Sequence, residues 1–322
     1  MDMYEHSSSS LNTYLDSPVL FYAKSRNFDF GPCNRQNVSN LSKFISHRII
    51  LEYDLVLRAL EKHKFQAIEK FIQEIFWRVY WKGWLELRPQ VWKDFIEYRP
   101  QGDTSSFEAA TAGKTDIKCF DDWVDELKET NYLHNHTRMW FASIWIFTLK
   151  LPWQLGARFF LEHLYDGDAG SNTLSWRWVA GLQTKGKHYL AKPWNIRKYT
   201  NERYLNFQLN EQSQPLHEDH AYSIEPFPYG GREEKLNDYL LLTDNDLNFN
   251  NRNELYNKYK RIFILTLSNE KRIIPISRKV LEFKDNAISS FKKYYPHAEI
   301  CDDTFEEVAE SIIDFDVVYP FV

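Results

Sequence analysis

An amide, a guanidinium and a thioether stand close together in LHNHTRMW (133–140), at Asn135, Arg138 and Met139. Spacings of three and four residues place these side chains on one face of a helix. Further along, DGDAGSNTLSWRW (166–178) supplies two acids, another Asn and two Trp residues. Such a set is unusual both for a hydrophobic core and for a solvated surface. It predicts a binding site where the two segments meet.

Aromatic residues make up 16% of the 322-residue chain, with 11 Trp, 19 Tyr and 23 Phe. One interpretation is a large helical protein with bulky packing. The other is a stacking site for a flat ligand, because aromatic faces bind bases and ring cofactors. Composition alone leaves both interpretations open.

The net charge of −5 and the isoelectric point of about 6.1 give no global signature of nucleic-acid binding. Charge is nevertheless uneven, because between residues 182 and 205 a single acid, Glu202, stands against a run of cations. These cations are Lys185, Lys187, Lys192, Arg197, Lys198 and Arg203. A basic stripe of this kind either holds phosphates or is a solvated surface run.

Residue spacing excludes several chemistries. Three cysteines, at 33, 119 and 301, are too few for a four-cysteine iron–sulfur site and too far apart in sequence for a metal motif. GKT at 113–115 lacks the upstream glycine of a P-loop, and neither G-x-G-x-x-G nor G-x-S-x-G occurs. The sequence therefore predicts no metal site and no nucleophilic catalysis.

The cellular compartment follows from the N-terminus and the cysteines. The polar start of the chain lacks the charged-then-apolar order of a signal peptide. No stretch reaches the ~18 uninterrupted apolar residues of a membrane span. An odd number of cysteines argues against a secreted disulfide framework. These features predict a cytoplasmic protein without membrane contact.

Periodicity predicts a mainly α-helical chain that ends in a small α/β unit. Residues 1–19 are polar and serine-rich, which predicts a flexible leader, whereas residues 20–205 show the apolar spacing of a helical domain. Within that domain, NLSKFISHRIILEYDLVLRALEKHKF (40–65) is expected to form one capped amphipathic helix. Residues 206–234 hold three prolines and a Gly-Gly pair, typical of a linker or long loop. Residues 235–322 predict the small α/β extension.

Several motifs, taken in order, resemble the cryptochrome/DNA photolyase family. The stretches are YAKSRNF (22–28), VSNLS (38–42), EIFWRVYW (74–81), HNHTRM (134–139) and DGDAGSNTLSWRW (166–178). They make residues 20–204 look like the FAD-binding helical domain of that family. The resemblance implies that fold, an FAD cofactor, and UV-damaged DNA as the partner of a monomer. Family members usually carry an antenna domain before this region, so the resemblance also implies that the antenna chromophore is absent.

The resemblance assigns cofactor contacts position by position. Ser39, Leu41 and Ser42 match the stretch that cradles the FAD phosphates, with Tyr22 alongside, although Val38 replaces a usual Thr. The matches around the flavin ring are Arg78, Asn135, Arg138, Asp166, Asp168 and Asn172. Among them, Arg138 and Asp166 match a salt-bridged pair beside the isoalloxazine, Asp168 the acid at the ring edge, and Asn172 the residue that faces flavin N5. A reduced anionic flavin in a dry pocket needs such fixed donors and a guanidinium.

Substrate contacts follow from the same resemblance. Glu74 and Trp77 share a helix face, where Glu74 would hydrogen-bond a flipped thymine pair and Trp77 would stack on it. Met139 would pack against the lesion. Trp178 matches a lesion-side Trp, and Arg26, Lys185 and Lys187 are expected to contact DNA. Enzymes that repair (6-4) lesions carry His at the positions of Asn135 and Met139, so this chain is expected to act on cyclobutane pyrimidine dimers.

An electron relay is implied as well. Trp176 and Trp153 match the flavin-proximal and middle members of the family's electron-transfer chain. The surface member has no clear match, and Trp92, Tyr98 and Trp123 are the candidates.

The function implied is that of a carbon–carbon lyase of the deoxyribodipyrimidine photo-lyase type. Reduced FAD would donate an electron to the dimer in light, with Glu74, Asn172, Trp176 and Trp153 as the catalytic residues. One alternative is a cryptochrome-like blue-light photoreceptor without repair activity, and another is a flavin protein that binds single-stranded DNA without repair. Retention of Glu74, Trp77 and Met139 favours repair, because a receptor needs no lesion pocket.

Overall fold

The computed structural model describes residues 2–226, 237–248, 252–311 and 316–317. Up to residue 226 the regular structure is helical, as predicted. The helices are α1 (Met3–Asp16), α2 (Tyr22–Ser25), α3 (Ser42–Ser46), α4 (Glu52–Lys62), α5 (Phe65–Glu86), α6 (Pro89–Glu97), α7 (Ser105–Thr111), α8 (Lys118–Thr130), α9 (Asn135–Ser143), α10 (Trp153–His163), α11 (Ala169–Ala180) and α12 (Pro193–Tyr199). A 3-10 turn spans Pro18–Phe21, and a π-helical segment at Ile144–Thr148 continues α9.

The predicted α/β unit is confirmed at the C-terminus. It contains β1 (Tyr239–Thr243), α13 (Asn253–Tyr256), β2 (Arg261–Leu265), α14 (Arg278–Tyr294), β3 (Ala298–Cys301), α15 (Phe305–Ser311) and β4 (Asp316–Val317). The strands form one parallel sheet in the order β3-β2-β1-β4, with Leu241 opposite both Phe263 and Val317. The middle of β1 is buried, as is usual for a strand inside a parallel sheet.

Two large apolar clusters hold the chain together. One joins α1, α4 and α5 to the sheet and α14, with Leu15, Phe71 and Ile262 among its buried members. The other joins α8 to α12 around Trp123 and Trp145, both fully buried. Helix α5 therefore lies between the α/β unit and the remaining helices, and it positions side chains for the site described below.

The prediction of a flexible leader at 1–19 is wrong. Asp2 accepts a hydrogen bond from the Tyr4 N–H and Glu5 completes a capping box, so α1 begins with a satisfied N-terminus. Tyr4, Leu11 and Leu15 are buried in the first cluster. The serine-rich composition hid this helix, although its buried positions are spaced by three and four residues.

The single helix predicted over 40–65 is also wrong. Helix α3 ends at Ser46 and α4 begins at Glu52, because Arg48 lies in the left-handed region with φ 52°. The turn wraps back so that the N–H groups of Ile49 and Ile50 bond the Phe44 carbonyl. Buried Ile49 and Ile50 offset the cost of this backbone conformation.

The loop predicted after residue 205 has no regular structure, yet it is fastened to the helices. The Leu216 N–H bonds the Ala180 carbonyl at 2.9 Å, and the Glu225 N–H bonds the Leu87 carbonyl at 2.9 Å. Glu218 forms a bidentate pair with Arg177 at 2.5 and 2.7 Å. We call residues 210–226 the strap. Residues 227–234 of the predicted linker, and 318–322 of the predicted last strand, lie outside the described residues.

Replacement of Leu15 by Ala is expected to destabilise the protein by about 2–4 kcal/mol, because a fully buried side chain is removed from the shared core. Urea unfolding followed by circular dichroism measures this loss. Ser9→Ala, on the exposed side of the same helix, serves as the control and should change stability by less than about 0.5 kcal/mol. Equal stability of both variants would show that α1 is not packed.

Candidate functional site

Two carboxylates precede α11, and each is paired with an Arg from a different helix. Arg138 on α9 donates from Nη2 to Asp166 Oδ2 at 2.9 Å, and Arg78 on α5 approaches Asp168 Oδ2 at 2.5 Å. Asp168 also caps α11 by accepting the Ser171 N–H at 2.7 Å. The two segments singled out in the sequence therefore meet through charge-assisted hydrogen bonds.

Both carboxylates stay ionised although Asp166 is buried and the Asp168 side chain is only 12% exposed. Burial alone would raise the pKa of Asp166, but Arg138 outweighs it and the pKa lies below its ordinary range. Burial would likewise raise the pKa of Asp168, and there Arg78 and Lys82 reverse the direction. The site thus holds fixed negative charge that is matched by guanidinium groups.

Helix α5 supplies the next layer of contacts. Arg78 Nη2 donates to Ser46 Oγ at 2.6 Å, and Arg78 Nε lies 3.5 Å from Glu52 Oε1. Close packing of α5 on α11 requires Gly170, because a Cβ there would lie 3.1 Å from the Lys82 Cα. Ser46 and Glu52 were not predicted as site residues, since the sequence pattern places them within an ordinary helix.

A cavity of about 280 Å³ opens beside Asp166. Its wall includes Ser42, Lys43 and Tyr132, and the Arg138 guanidinium lies 5.3 Å from the centre of the Tyr132 ring. The second oxygen of Asp166, Oδ1, is buried and has no hydrogen-bond partner among the described residues. A polar ligand in this cavity would therefore meet an acceptor, a hydroxyl and an ammonium group.

The remaining residues predicted for the phosphate side lie around α3. Leu41 is fully buried and precedes α3, whereas Ser39 Oγ accepts the Leu41 N–H at 3.4 Å. Tyr22 packs edge-on against Phe71 with ring centroids 5.5 Å apart. Of these four residues, Ser42 lines the cavity, whereas the Tyr22 ring lies under the Arg26 guanidinium.

Asn172 and Asn135 differ in their placement. Asn172 on α11 is buried and donates from Nδ2 to the Ala157 carbonyl at 2.9 Å, so the orientation of its side-chain oxygen is fixed. Asn135, the first residue of α9, is exposed, and its side-chain amide makes no hydrogen bond among the described residues. Of the predicted helix face, Arg138 contacts the acidic segment and Met139 is half-buried beside it.

The predicted substrate side is open to solvent. Arg26 pairs with Glu74 Oε1 and stacks over Tyr22, which fixes the Glu74 carboxylate in place. Trp77, one turn along α5, is 51% exposed and packs on Trp81. Because Arg78 follows Trp77 directly, the exposed ring and the buried charge cluster are neighbours on one helix.

The other residues predicted to contact DNA lie at the end of α11 and in the turn that follows it. Trp178 stacks on Tyr189 with ring centroids 6.0 Å apart and an interplanar angle of 24°. Lys185 and Lys187 are exposed in the turn between these two residues. Exposed cations suit phosphate contacts and a solvated surface run equally well, so both alternatives for the basic stripe stay open.

The aromatic residues assigned to electron transfer lie in the second apolar cluster. Trp176 contacts Trp145 edge-to-face at 6.2 Å, and a Cβ at Gly156 would clash with the Trp176 ring. Trp153, one turn before Gly156, is only 5% exposed and stacks on Phe95. Trp145 was not predicted, and its place in an apolar run gave no signal.

Comparison with known proteins shows that part of the chain is similar to DNA photolyases. Residues 71–210 match the family model described as the FAD binding domain of DNA photolyase. The resemblance to the cryptochrome/DNA photolyase family that the sequence motifs indicated is thereby confirmed for this part of the chain. The deoxyribodipyrimidine photo-lyase of Streptomyces griseus is 35% identical over 149 residues, which are 45% of this chain and 32% of that protein. The Neurospora crassa photo-lyase is 29% identical over 192 residues, 56% of this chain and 31% of its own.

Solved structures show the same likeness. A bacterial class III photolyase from Agrobacterium tumefaciens aligns with a TM-score of 0.53 and 26% identity, over 62% of this chain and 42% of that chain. The Synechocystis cryptochrome aligns with the same TM-score at 22% identity, over 62% and 43%, which shows the fold alone. The chain spans about a third of the length of the first two photo-lyases.

Two further features concern the part of the chain that the structure describes. Within it, His, Cys, Asp and Glu side chains form no group of three suited to a metal ion. Its helices are all too short or too polar to cross a membrane.

The Arg138–Asp166 pair makes stability depend on pH. Because the folded pKa of Asp166 is below the ordinary value of 3.8, its contribution is present above that value and is lost as pH falls through the folded pKa. Asp166→Asn should lower the free energy of unfolding by about 2–4 kcal/mol at pH 7. This is less than for a fully buried ion pair, because the Arg138 side chain is 23% exposed.

Urea unfolding at pH 7 and at pH 3.5 tests this prediction. The variant should lose less stability on acidification than the parent protein. The control is Asp219→Asn, whose side chain is 99% exposed and should show the parent's dependence. A parent and Asp166→Asn variant with parallel pH curves would contradict the assigned ion pair.

Proposed function

We propose that this protein binds FAD and uses it for the light-dependent repair of cyclobutane pyrimidine dimers in DNA. The proposal rests on one observation above all. Along a single turn of α5, Trp77 is exposed and Glu74 is half-exposed, while Arg78 contacts Asp168, whose side chain is only 12% exposed. A lesion at the exposed residues and a flavin at the buried ones would therefore be separated by one helix turn.

The residues present fit an FAD molecule. Its phosphates need hydroxyl and cationic neighbours, which Ser42 and Lys43 provide on the cavity wall. Its ring carries polar edges, for which Asp166 Oδ1 is a buried polar atom without a hydrogen-bond partner among the described residues. Arg138 would balance the negative charge of the reduced ring, and Asp166 keeps its guanidinium oriented.

FAD, when bound in its reduced state, supplies one electron in light and takes it back after the dimer has split. The protein's part is to bind, orient and exclude water. Asn172 is fixed by its bond to the Ala157 carbonyl, and we infer that its free amide oxygen faces the ring and limits the approach of protons.

On the substrate side, Glu74 and Trp77 would hold the flipped dimer. A damaged pair stacks poorly, so extrusion costs less than for an intact base pair. Trp77 offers an exposed aromatic face for stacking, and Glu74, fixed by Arg26, offers a hydrogen bond to the pyrimidine edge. A function as a photoreceptor without repair is less well supported, because it assigns no role to Glu74 and Trp77.

Purified protein is expected to be yellow and to hold FAD. Arg138→Met should weaken FAD binding about ten- to hundredfold, the loss expected for one charge-assisted hydrogen bond. Titration followed by the quenching of flavin fluorescence measures this affinity. Arg278→Met is the control, since that side chain is 91% exposed and distant in sequence from every site residue. A colourless parent that takes up no added FAD would refute the cofactor assignment.

Repair itself is tested with an oligonucleotide that carries a thymine dimer. The parent protein should remove dimers in blue or near-UV light and not in the dark, and Glu74→Gln should slow removal about tenfold or more while DNA binding changes little. The control is Glu61→Gln, an exposed position on α4. Flavin binding without any loss of dimers in light would leave the photoreceptor alternative as the better account.

A further inference from the structure

The residues around Trp153 suggest where the electron relay reaches the surface. Trp153 is nearly buried, so it cannot exchange electrons with a solution reductant directly. One face of its ring stacks on Phe95 at 5.5 Å, and the Arg177 guanidinium lies 5.8 Å from its centre. The relay therefore needs one more member beyond these contacts.

Arg177 connects Trp153 to the strap. Its guanidinium carbon also lies 5.2 Å from the centre of the Tyr222 ring, so the two rings are within about 11 Å of each other. The bidentate pair with Glu218 holds this guanidinium in place and balances its charge. A strap residue is thus fixed beside a Trp that belongs to the helical core.

Tyr222 has a proton acceptor already in place. Its hydroxyl donates to Asp94 Oδ2 at 2.9 Å, within the distance needed for direct proton transfer. Asp94 on α6 also accepts from Gln90 at 2.6 Å and lies 3.5 Å from His220. Tyr222 is half-buried, so a small reductant can reach it. A phenol loses an electron easily only when its proton can leave at the same time.

We propose that Tyr222 is the surface end of the relay that begins at Trp176 and Trp153, and that Asp94 takes its phenolic proton. The inference rests on the proposed FAD binding. Oxidised FAD, when bound, would supply the light-driven oxidant, so that Trp176 would lose one electron and Trp153 would replace it. Tyr222 refills Trp153 while its O–H bond breaks and an O–H bond forms on Asp94.

A thiol in solution completes the cycle. It gives one electron to the Tyr222 radical, whose oxygen regains the proton from Asp94. The thiol's own proton goes to water, and two oxidised thiols join as a disulfide. Each turn therefore moves one electron from thiol to flavin and leaves the protein unchanged.

Other aromatic residues fit this role less well. Trp92 contacts the Phe95 ring, which is hard to oxidise, and among the described residues it has no hydrogen-bonded carboxylate. Trp123 is fully buried against Trp140, and Trp145 is fully buried next to Trp176. Among these candidates only Tyr222 combines access to solvent with a hydrogen-bonded carboxylate.

Electron paramagnetic resonance of the illuminated, flavin-loaded protein tests the proposal. Without thiol, the parent should show a tyrosyl signal whose shape changes when tyrosine is ring-deuterated. Tyr222→Phe should abolish that signal and slow thiol-dependent bleaching of the oxidised flavin, and Asp94→Asn should do the same at neutral pH. Tyr98→Phe and Trp92→Phe test the competing candidates for the surface member, and both should keep the signal.

Several outcomes would overturn the proposal. They are a tyrosyl signal that survives in Tyr222→Phe, a parent that shows only tryptophan radicals, and a signal that depends on Trp92 instead. Flavin-free protein gives an independent reading, because azide radicals in pulse radiolysis oxidise Trp residues first. Tyr222→Phe should then remove part of the electron transfer from Tyr to Trp, and unchanged transfer would count against the relay.

Chemical reduction separates this relay from the proposed repair. Dithionite reduces the flavin without any protein donor, so Tyr222→Phe treated in this way should repair dimers at the parent's rate. A rate that stays low would show that Tyr222 acts on structure and would refute the relay. Loss of the tyrosyl signal in Tyr222→Phe, with no repair by any variant, would support the relay and refute the proposed repair.

Discussion

The site depends on burying two carboxylates without neutralising them. Asp166 and Asp168 stand before α11, where an unpaired charge would cost several kcal/mol, and each is matched by an Arg from another helix. Those two ion pairs tie α9, α5 and α11 to one another. The helices can therefore pack closely, as they do at Gly170, while the space beside Asp166 stays polar. Apolar replacements would pack as well but would leave nothing to hold a charged ring.

Helix α5 contributes both to the hydrophobic core and to the candidate site, because its faces contact different parts of the molecule. Ile68 and Phe71 complete the core shared with the α/β unit, whereas Arg78 reaches the carboxylates. Trp77 projects to solvent on the remaining side. A helix that is apolar nearly all round would be expected to be buried on every side, and α5 departs from that rule where its exposed face carries aromatic rings.

The sequence was sufficient for the helical class, for the α/β extension and for the meeting of Arg138 with Asp166, because periodicity and family motifs report on all three. The predictions from sequence were wrong where local composition and long-range packing favour different structures. Serines made α1 look unstructured, although a core from a distant part of the chain covers it. The break at Arg48 was invisible because Ile49 and Ile50 suit a continuous helix equally well. Partners such as Ser46 come from tertiary contact, which spacing does not encode.

Burial resolves the question raised by the aromatic content. Trp123, Trp140, Trp145 and Trp176 fill the second cluster, so bulky packing accounts for much of the excess. Trp77 is half exposed and lies beside the charge cluster instead of inside a core. Exposure of so large an apolar ring costs free energy unless a ligand covers it. The two interpretations of the composition therefore concern different residues, and solvent exposure, which only the folded structure reveals, separates the packing rings from those that a ligand could reach.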